Sequence, residues 1–378
     1  MTQTIYPADA HASIPWPENE AGQRAAAWLL PLLREGVSPF IRNVDTELSV
    51  LVSGDAVLPL STTEPRHHNS YVCSPRTHYI TYGREELDKL DSRLQRWLFR
   101  GAVDLMDLGF RFGGFDRVVY VNNWLLSTNL YPQLDPTDLE AVHAALLERF
   151  PRHPLVFRSV DERANPAIYA GLRALGYRPV FSRFVWYQDP ASREVQRRKN
   201  YRLDRSALRR SGYEVVPGDA LEDADYARVE HLYNQLYLDK YSRFNPQFTA
   251  RFISTLARAG LLELRLLRKD GRFDGVFGFY SRRGIGTAPL FGYDTSLPQK
   301  QGLYRILSYV WSELARERGL LINASAGVGA FKKSRGAIPA LESNMVYAAH
   351  TPGPRRCWGL LGALLDRVAV PIIVEKEL

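Results

Sequence analysis

The sequence predicts an α/β protein built from two related units in tandem, on three observations. Apolar runs of strand length alternate with amphipathic runs of helix length along most of its 378 residues. The ends of the two halves match at an offset of 160 residues, Gly176 with Gly336, Pro179 with Pro339 and Tyr187 with Tyr347, each in the order helix, glycine, proline, strand. The stretch 285–347 reads as strand, polar glycine turn, long helix and strand, an order that aims backbone N–H groups at an anion.

In chain order, 1–20 holds Pro7, Pro15 and Pro17 without periodicity and reads as a tail. A helix is predicted over 21–34, with Ala25, Trp28, Leu29 and Leu32 on one side. Alternation over 48–52 and 56–60 about the turn Ser53-Gly54-Asp55 gives a hairpin. A polar loop covers 67–71 and a helix 84–108, and Val118–Val121 and Trp124-Leu125-Leu126 are strand-like. Asp135-Pro136 starts a helix, the aspartate as cap and the proline in the first turn, with Leu139, Val142, Leu146 and Leu147 inward. Strand 155–157, helix 166–175 and strand 180–187 complete the first unit.

Net charge is +8 and is concentrated. Between Arg193 and Arg210, eight basic residues stand against Glu194 and Asp204, so most of the excess lies in one segment. Read as a helix over 192–211, Arg198, Arg202, Arg205 and Arg209 fall within about 60° of one another. Leu203, Ala207 and Leu208 fall on the other side. One face packs while the other meets an anion or simply water.

The second half is predicted as helices over 221–240 and 246–258 and strands over 262–267 and 275–280 joined by Lys269-Asp270-Gly271. Strand 285–292 follows, then the turn Gln299-Lys300-Gln301-Gly302. The long helix places Leu303, Ile306, Leu307, Val310, Trp311 and Leu314 on one face. Strand 320–323, a short basic helix around Phe331-Lys332-Lys333, strand 344–347 and a packing helix over 355–368 close the chain, with 371–374 as a last strand or tail.

Composition excludes several classes. Apolar content of 45% and charged content of 24% are ordinary for a soluble globular chain. No apolar run approaches the roughly 20 residues of a membrane helix, and no charged-then-apolar leader opens the sequence. Cys73 and Cys357 are too few for a disulfide framework or a zinc site of their own, and a cytoplasmic home is expected. His67, His68, Cys73 and His78 fit no common paired-ligand spacing, so no metal is expected. Neither a Gly-x-Ser-x-Gly elbow nor a P-loop is present.

Three stretches carry a resemblance. They are 207–215 at the end of the basic segment, Tyr304-Arg305-Ile306-Leu307 through Leu320-Leu321-Ile322-Asn323, and Phe331-Lys332-Lys333-Ser334-Arg335-Gly336-Ala337. In these the sequence resembles the GCN5-related N-acetyltransferase (GNAT) fold in its tandem form. That form is seen in Fem-type peptidoglycan-bridge aminoacyltransferases and FemAB-like acyltransferases.

The resemblance implies two GNAT-like domains, each a mixed, mostly antiparallel sheet flanked by helices. The expected division is a tail at 1–20, a degenerate domain at 21–190, a basic linking helix at 191–212, an acyltransferase domain at 213–350, and a helix and tail at 351–378. It also implies N-acyl transfer from acyl-CoA, acetyl-CoA included, or from another carrier-linked donor to a small-molecule or peptide amine. The family's CoA signature falls on Gln299, Lys300, Gln301 and Gly302, with Tyr304 where a small residue usually stands. That departure matches the Fem-like branch. The first half lacks such a glycine turn before its helix, so any cofactor site is expected in the second half.

Acyl transfer needs a neutral amine, donors for a developing oxyanion and a proton source for the leaving group. The candidates are Tyr304 as acid, with Asp294 at a strand exit and Asn323 at the end of an apolar strand. Lys332 and Lys333 are candidates for holding phosphate or carboxylate, although ordinary surface charge explains them equally well. Two alternatives stay open. One is an aminoacyl-tRNA donor engaging Arg198, Arg202, Arg205 and Arg209; the other is a non-catalytic RNA- or partner-binding protein on a decayed site.

Overall fold

The computed structural model describes residues 3–65, 68–87 and 93–371. Among them the apolar runs become twelve strands. These are β1 (Thr4–Pro7), β2 (Glu47–Ser53), β3 (Ala56–Thr63), β4 (Val118–Val121), β5 (Leu155–Val160) and β6 (Arg178–Gln188) in the first half. The second half supplies β7 (Glu214–Pro217), β8 (Glu263–Lys269), β9 (Arg272–Arg282), β10 (Ile285–Tyr293), β11 (Leu321–Asn323) and β12 (Ile338–Tyr347). They form one sheet in the order β1-β2-β3-β4-β5-β12-β6-β11-β10-β9-β8-β7. Only β4–β5 and β10–β11 pair in parallel; the other neighbours are antiparallel.

The 160-residue repeat takes physical form at the centre. β6 and β12 are antiparallel partners from Ile338↔Tyr187 to Val346↔Arg178. Each is entered through a glycine in the left-handed region, Gly176 at φ 87° and Gly336 at φ 84°, where a Cβ would be strained. Because β12 lies between β5 and β6, the last strand of the second unit completes the sheet of the first. The boundaries expected at 190 and 213 therefore mark segments of sequence, while the packing interlocks across them.

The cores do the same. The helix Glu20–Glu35 buries Ala25, Trp28, Leu29 and Leu32 in one cluster with Phe252, Ile253 and Leu256 of the helix Ala250–Arg258. The Trp28 ring meets Phe252 edge-on at 6.1 Å. Each of the Leu, Ile and Phe side chains contributes about 1.5–3 kcal/mol on burial, so the halves hold each other. The helix Leu303–Glu317 seats Ile306, Leu307 and Trp311 on Leu267, Phe277 and Phe279, as its periodicity predicted. The Pro136–Arg149 helix has the expected Asp135 cap, completed to a capping box by Asp138.

Several expectations are corrected. The tail expected at 1–20 supplies edge strand β1, whose four residues are too few to show a period, and a 3-10 turn at Ala8–Ser13. The linking helix at 191–212 is two helices, Arg193–Arg197 and Lys199–Ser211, broken at Arg198 by an extended ψ of 133°. Its inward face carries Tyr201 and Asp204, while Leu203 is exposed. Trp124-Leu125-Leu126 is buried loop, with Asn122 and Leu125 at φ 56° and 61°. The helix expected over 84–108 is described as Tyr82–Leu87 and Arg93–Phe112, with 88–92 outside the described residues. Met1, Thr2, His67 and, of the predicted last strand, Ile372, Ile373 and Val374 also lie outside them.

Candidate active site

The parallel pair β10–β11 lasts for three residue pairs, Ile285↔Leu321 to Thr287↔Asn323. There β11 ends, while β10 runs on to Tyr293 with an irregular register against β9 between Thr287 and Leu290. From Ala288 onward β10 has no strand on that side among the described residues. Beside this parting lies a cavity of about 880 Å³. Both halves line it: Tyr71, His78 and Tyr79 from the first, Arg183 on β6, and Ala288 and Tyr304 from the second.

The first half has the equivalent parallel pair, Val119↔Leu155 to Val121↔Phe157. Its parting is filled by the buried loop after β4. Arg158 Nη1 donates to Asn123 Oδ1 at 2.9 Å, and Asn123 Nδ2 donates to Ser61 Oγ at 2.6 Å and the Val72 carbonyl at 2.9 Å. One parting is plugged by its own polar network and the other is open.

The loop after β11 forms one wall and is held in an unusual conformation. Ser325 and Val328 have φ 56° and 45°, and for a β-branched residue the second is a strained value. Lys332 fixes it: its Nζ donates to the carbonyls of Ala324, Ser325 and Ala326 at 2.6, 3.0 and 2.8 Å. That removes Lys332 from the phosphate-holding role considered for it, since its ammonium organises backbone. Lys333 is exposed and outside the cavity lining.

Asn323, the last residue of β11, is buried with both ends of its amide engaged. Its Oδ1 accepts from the Ser325 N–H at 2.9 Å and its Nδ2 donates to Tyr187 Oη at 3.0 Å. Tyr187 Oη donates to Asp161 Oδ2 at 2.8 Å. Burial pushes the Asp161 carboxyl up from its ordinary range. Asn323 and Tyr187 also line a second, smaller pocket that includes Asp161, so this chain runs from the main cavity into the first half.

Tyr304 packs its ring between Phe291 and Phe331, with centroids at 5.4 and 4.8 Å. Burial, followed by neighbouring Tyr241 and Tyr293, pushes its phenol above the usual range, so it is a neutral hydroxyl facing the cavity. His78 is also neutral: burial, with Arg158 and Arg183, lowers it to about 3, and its Nε2 lies 3.3 Å from Ser182 Oγ. Arg183 is held by Glu342 through two bonds of 2.8 and 3.1 Å and by the Ser127 carbonyl at 2.7 Å. Asp204 takes Arg335 at 2.5 and 3.0 Å and Arg305 at 2.8 Å, tying the basic helix to the cavity wall.

The fold thus brings Tyr304, Asn323 and Lys332 into one wall and leaves the other candidates outside it. Asp294 is a structural carboxylate. Burial acts to raise it, but Ser296 and the Arg228 guanidinium at 2.7 Å outweigh that and hold it at about 2. Gln299, Lys300 and Gln301 form a 3-10 turn, and Gly302, at φ 68°, caps the long helix without a side-chain bond. Gln301 accepts from Tyr213 Oη at 3.1 Å. This turn ends two residues before Tyr304 but does not line the cavity. Sequence reasoning missed Tyr71, His78, Tyr79 and Arg183, which the fold gathers from distant segments. Tyr237 and Tyr241 were legible, since with Tyr233 they recur every fourth residue.

Among the described residues no cluster of His, Cys, Asp and Glu is arranged to hold a metal ion. Cys73 is buried, and burial pushes its thiol up to about 12.

Residues 195–332 match the family model described as "Acetyltransferase (GNAT) domain". No curated protein matches the chain. FemX shares the fold at 10% identity, with a TM-score of 0.51 over 95% of this chain and 99% of that one. Weaker likenesses include L-PGS from Bacillus licheniformis, at 15% identity and TM-score 0.44 over 60% of this chain and 78% of that one. Another is a tandem GNAT protein from the clavulanic acid biosynthesis pathway, at 12% identity and TM-score 0.40 over 91% and 98%. Residues 195–332 are an acetyltransferase (GNAT) domain, set in a tandem GNAT fold that extends along the chain, and the enzyme is an acyltransferase.

Proposed function

We propose that the protein transfers an acyl or aminoacyl group from a carrier-linked donor to an amine, with the reacting carbonyl in the parting between β10 and β11. The observation that carries this reading is the end of β11 at Asn323 while β10 continues to Tyr293 beside the open cavity. In such a site the amine nitrogen forms a bond to the acyl carbon, the bond to the carrier's sulfur or oxygen breaks, and the leaving group needs a proton. Tyr304 is the group we assign to supply it, being neutral and on the cavity wall. Backbone N–H groups of β10 beyond Thr287, other than at Pro289, which has none, are suited to the developing oxyanion. His78 is too weak a base, at about 3, to keep the amine's proton at neutral pH, so we assign that proton to water at the mouth. The turn Gln299–Gly302, at the start of the long helix, is the place we assign to the donor's phosphates.

The test fills the parting. Ala288→Trp should abolish both donor binding, measured by calorimetry with acetyl-CoA, longer acyl-CoAs and aminoacyl-tRNA, and transfer to an amine, while circular dichroism stays unchanged. The reading is overturned if wild type binds none of these donors, or if Ala288→Trp binds and turns over like wild type.

A second reading, in which tRNA is the carrier, is supported by the helix Lys199–Ser211. Its Tyr201 and Asp204 line the cavity while Arg202, Arg205 and Arg209, with Arg198 just before it, are exposed. On that reading affinity for aminoacyl-tRNA falls steeply with salt, and Arg202→Glu with Arg205→Glu flattens the dependence. Acyl-CoA binding would be indifferent to both changes.

A further inference from the structure

The described side chains of the helix Arg93–Phe112 form two apolar sides, one covered and one exposed. Phe110 and, more loosely, Val103 and Met106 pack into a core with Phe115, Trp358 and Leu361. Asp107 on the same inward side is held by Arg76 at 2.5 Å and Arg84 at 3.1 Å. Outward stand Trp97, Leu105, Leu108 and Phe112, exposed by 72%, 73%, 52% and 86%. At roughly 100° per residue these four fall within about 80° of one another, a continuous stripe. Soluble proteins seldom leave such a stripe open.

The neighbouring helix Pro352–Leu364 repeats the pattern. Cys357, Trp358 and Leu361 enter the same core, while Leu360 and Leu364 are exposed by 59% and 42%. The charges beside these apolar residues are mainly one sign. Arg100, Arg111, Arg355, Arg356 and Arg367 are exposed, against Asp104, which Arg84 engages at 2.7 Å, and Asp366. The main cavity lies close by in sequence: its lining includes Gly83 and Glu85 of the preceding helix Tyr82–Leu87, and Leu365 directly after the second helix. No helix among the described residues is long and apolar enough to cross a membrane.

We infer that these two helices dock the protein peripherally on an anionic membrane surface. Trp97, Leu105, Leu108, Phe112, Leu360 and Leu364 enter the boundary between headgroups and acyl chains, and the flanking arginines meet the lipid phosphates. Apolar burial and attraction to anionic headgroups together are what hold an amphipathic helix in that plane. The arginines select this occupant over a second copy of the chain, whose identical basic flanks would repel. The inference is independent of the acyl donor and stands or falls on binding alone.

The full chain would be sedimented with vesicles of phosphatidylcholine alone and of phosphatidylcholine with phosphatidylglycerol, with tryptophan emission recorded in parallel. Binding is expected to the phosphatidylglycerol vesicles, with a blue shift of emission and weakening as salt rises. Leu105→Ser with Phe112→Ser should lower the partition at least roughly tenfold, and Arg355→Glu with Arg356→Glu should lower it while leaving the apolar stripe in place. These positions are exposed, so folding of each variant, checked by circular dichroism, should be intact. The inference is overturned by absence of binding to either vesicle, by equal binding to both, or by binding that the Leu105 and Phe112 changes leave untouched. Self-association without vesicles, relieved by Phe112→Ser, overturns it in favour of a second copy.

Discussion

Asn323 and Tyr187 face each other as a register pair of β11 and β6, and the amide of the first donates to the phenol of the second at 3.0 Å. The pair stands where β11 ends and the parting from β10 begins, with Asp161 behind it at 2.8 Å from the phenol. Asn323 therefore holds the Ser325 turn on one side and the first half on the other. Asn323→Leu should leave Tyr187 with one partner fewer and free the Ser325 N–H, a loss of about 1–3 kcal/mol in urea unfolding. Under the proposed function, transfer should fall further than stability does. Asn323→Asp, which keeps the acceptor for Ser325, should recover part of the stability but not the donor to Tyr187.

Lys332 is expected to behave as a scaffold residue. Its ammonium gathers three carbonyls of the loop 324–326, so Lys332→Met leaves them without that donor in a half-buried place. Melting temperature should fall, and proteolysis should begin at the loop. A true phosphate ligand would instead show normal stability with weaker donor binding, and that outcome would sink the scaffold role.

Asp204 is the inward anchor of the basic segment. It is buried and shared between Arg335, also buried, and the more exposed Arg305. Asp204→Ala strands the Arg335 guanidinium, and removing one partner of a buried pair costs about 3–5 kcal/mol. Thermal unfolding should show that loss, whereas Arg205→Glu on the exposed face should change stability by less than about 0.5 kcal/mol. Equal effects from the two would contradict the inward assignment of Asp204.

Acid stability should turn on Asp107 and Asp294. For each, burial acts to raise the carboxyl, but arginines prevail, Arg76 and Arg84 at Asp107 and Arg228 with Ser296 at Asp294, and hold it at about 2 against an ordinary 3.8. A lowered folded value means that the unfolded chain binds protons first. The stabilisation is complete above about 4, and is lost as pH falls through about 2. Urea midpoints should be flat from pH 7 to 5 and drop between about 4 and 2, and Asp107→Asn should make that drop shallower. An unchanged acid limb in Asp107→Asn would remove this residue from the account.

Much of the architecture was legible because it is local. Periodicity placed Leu303, Ile306, Leu307 and Trp311 on the buried face of their helix, and the Asp135 cap and the turn at Lys269-Asp270-Gly271 follow from short-range bonding and positive φ. The offset of 160 residues between Gly176 and Gly336 announced a repeated unit, since a glycine is needed wherever a helix must turn left-handed into a strand. What no local rule carries is partnership. The insertion of β12 between β5 and β6, the plugging of one parting by Asn123 and Arg158, and the capture of Asp294 by Arg228 all depend on residues far apart in sequence. A sequence states which groups are polar or apolar and at what spacing. Whether a lysine meets a ligand or three carbonyls is decided only when the packed chain fixes which groups water can no longer reach.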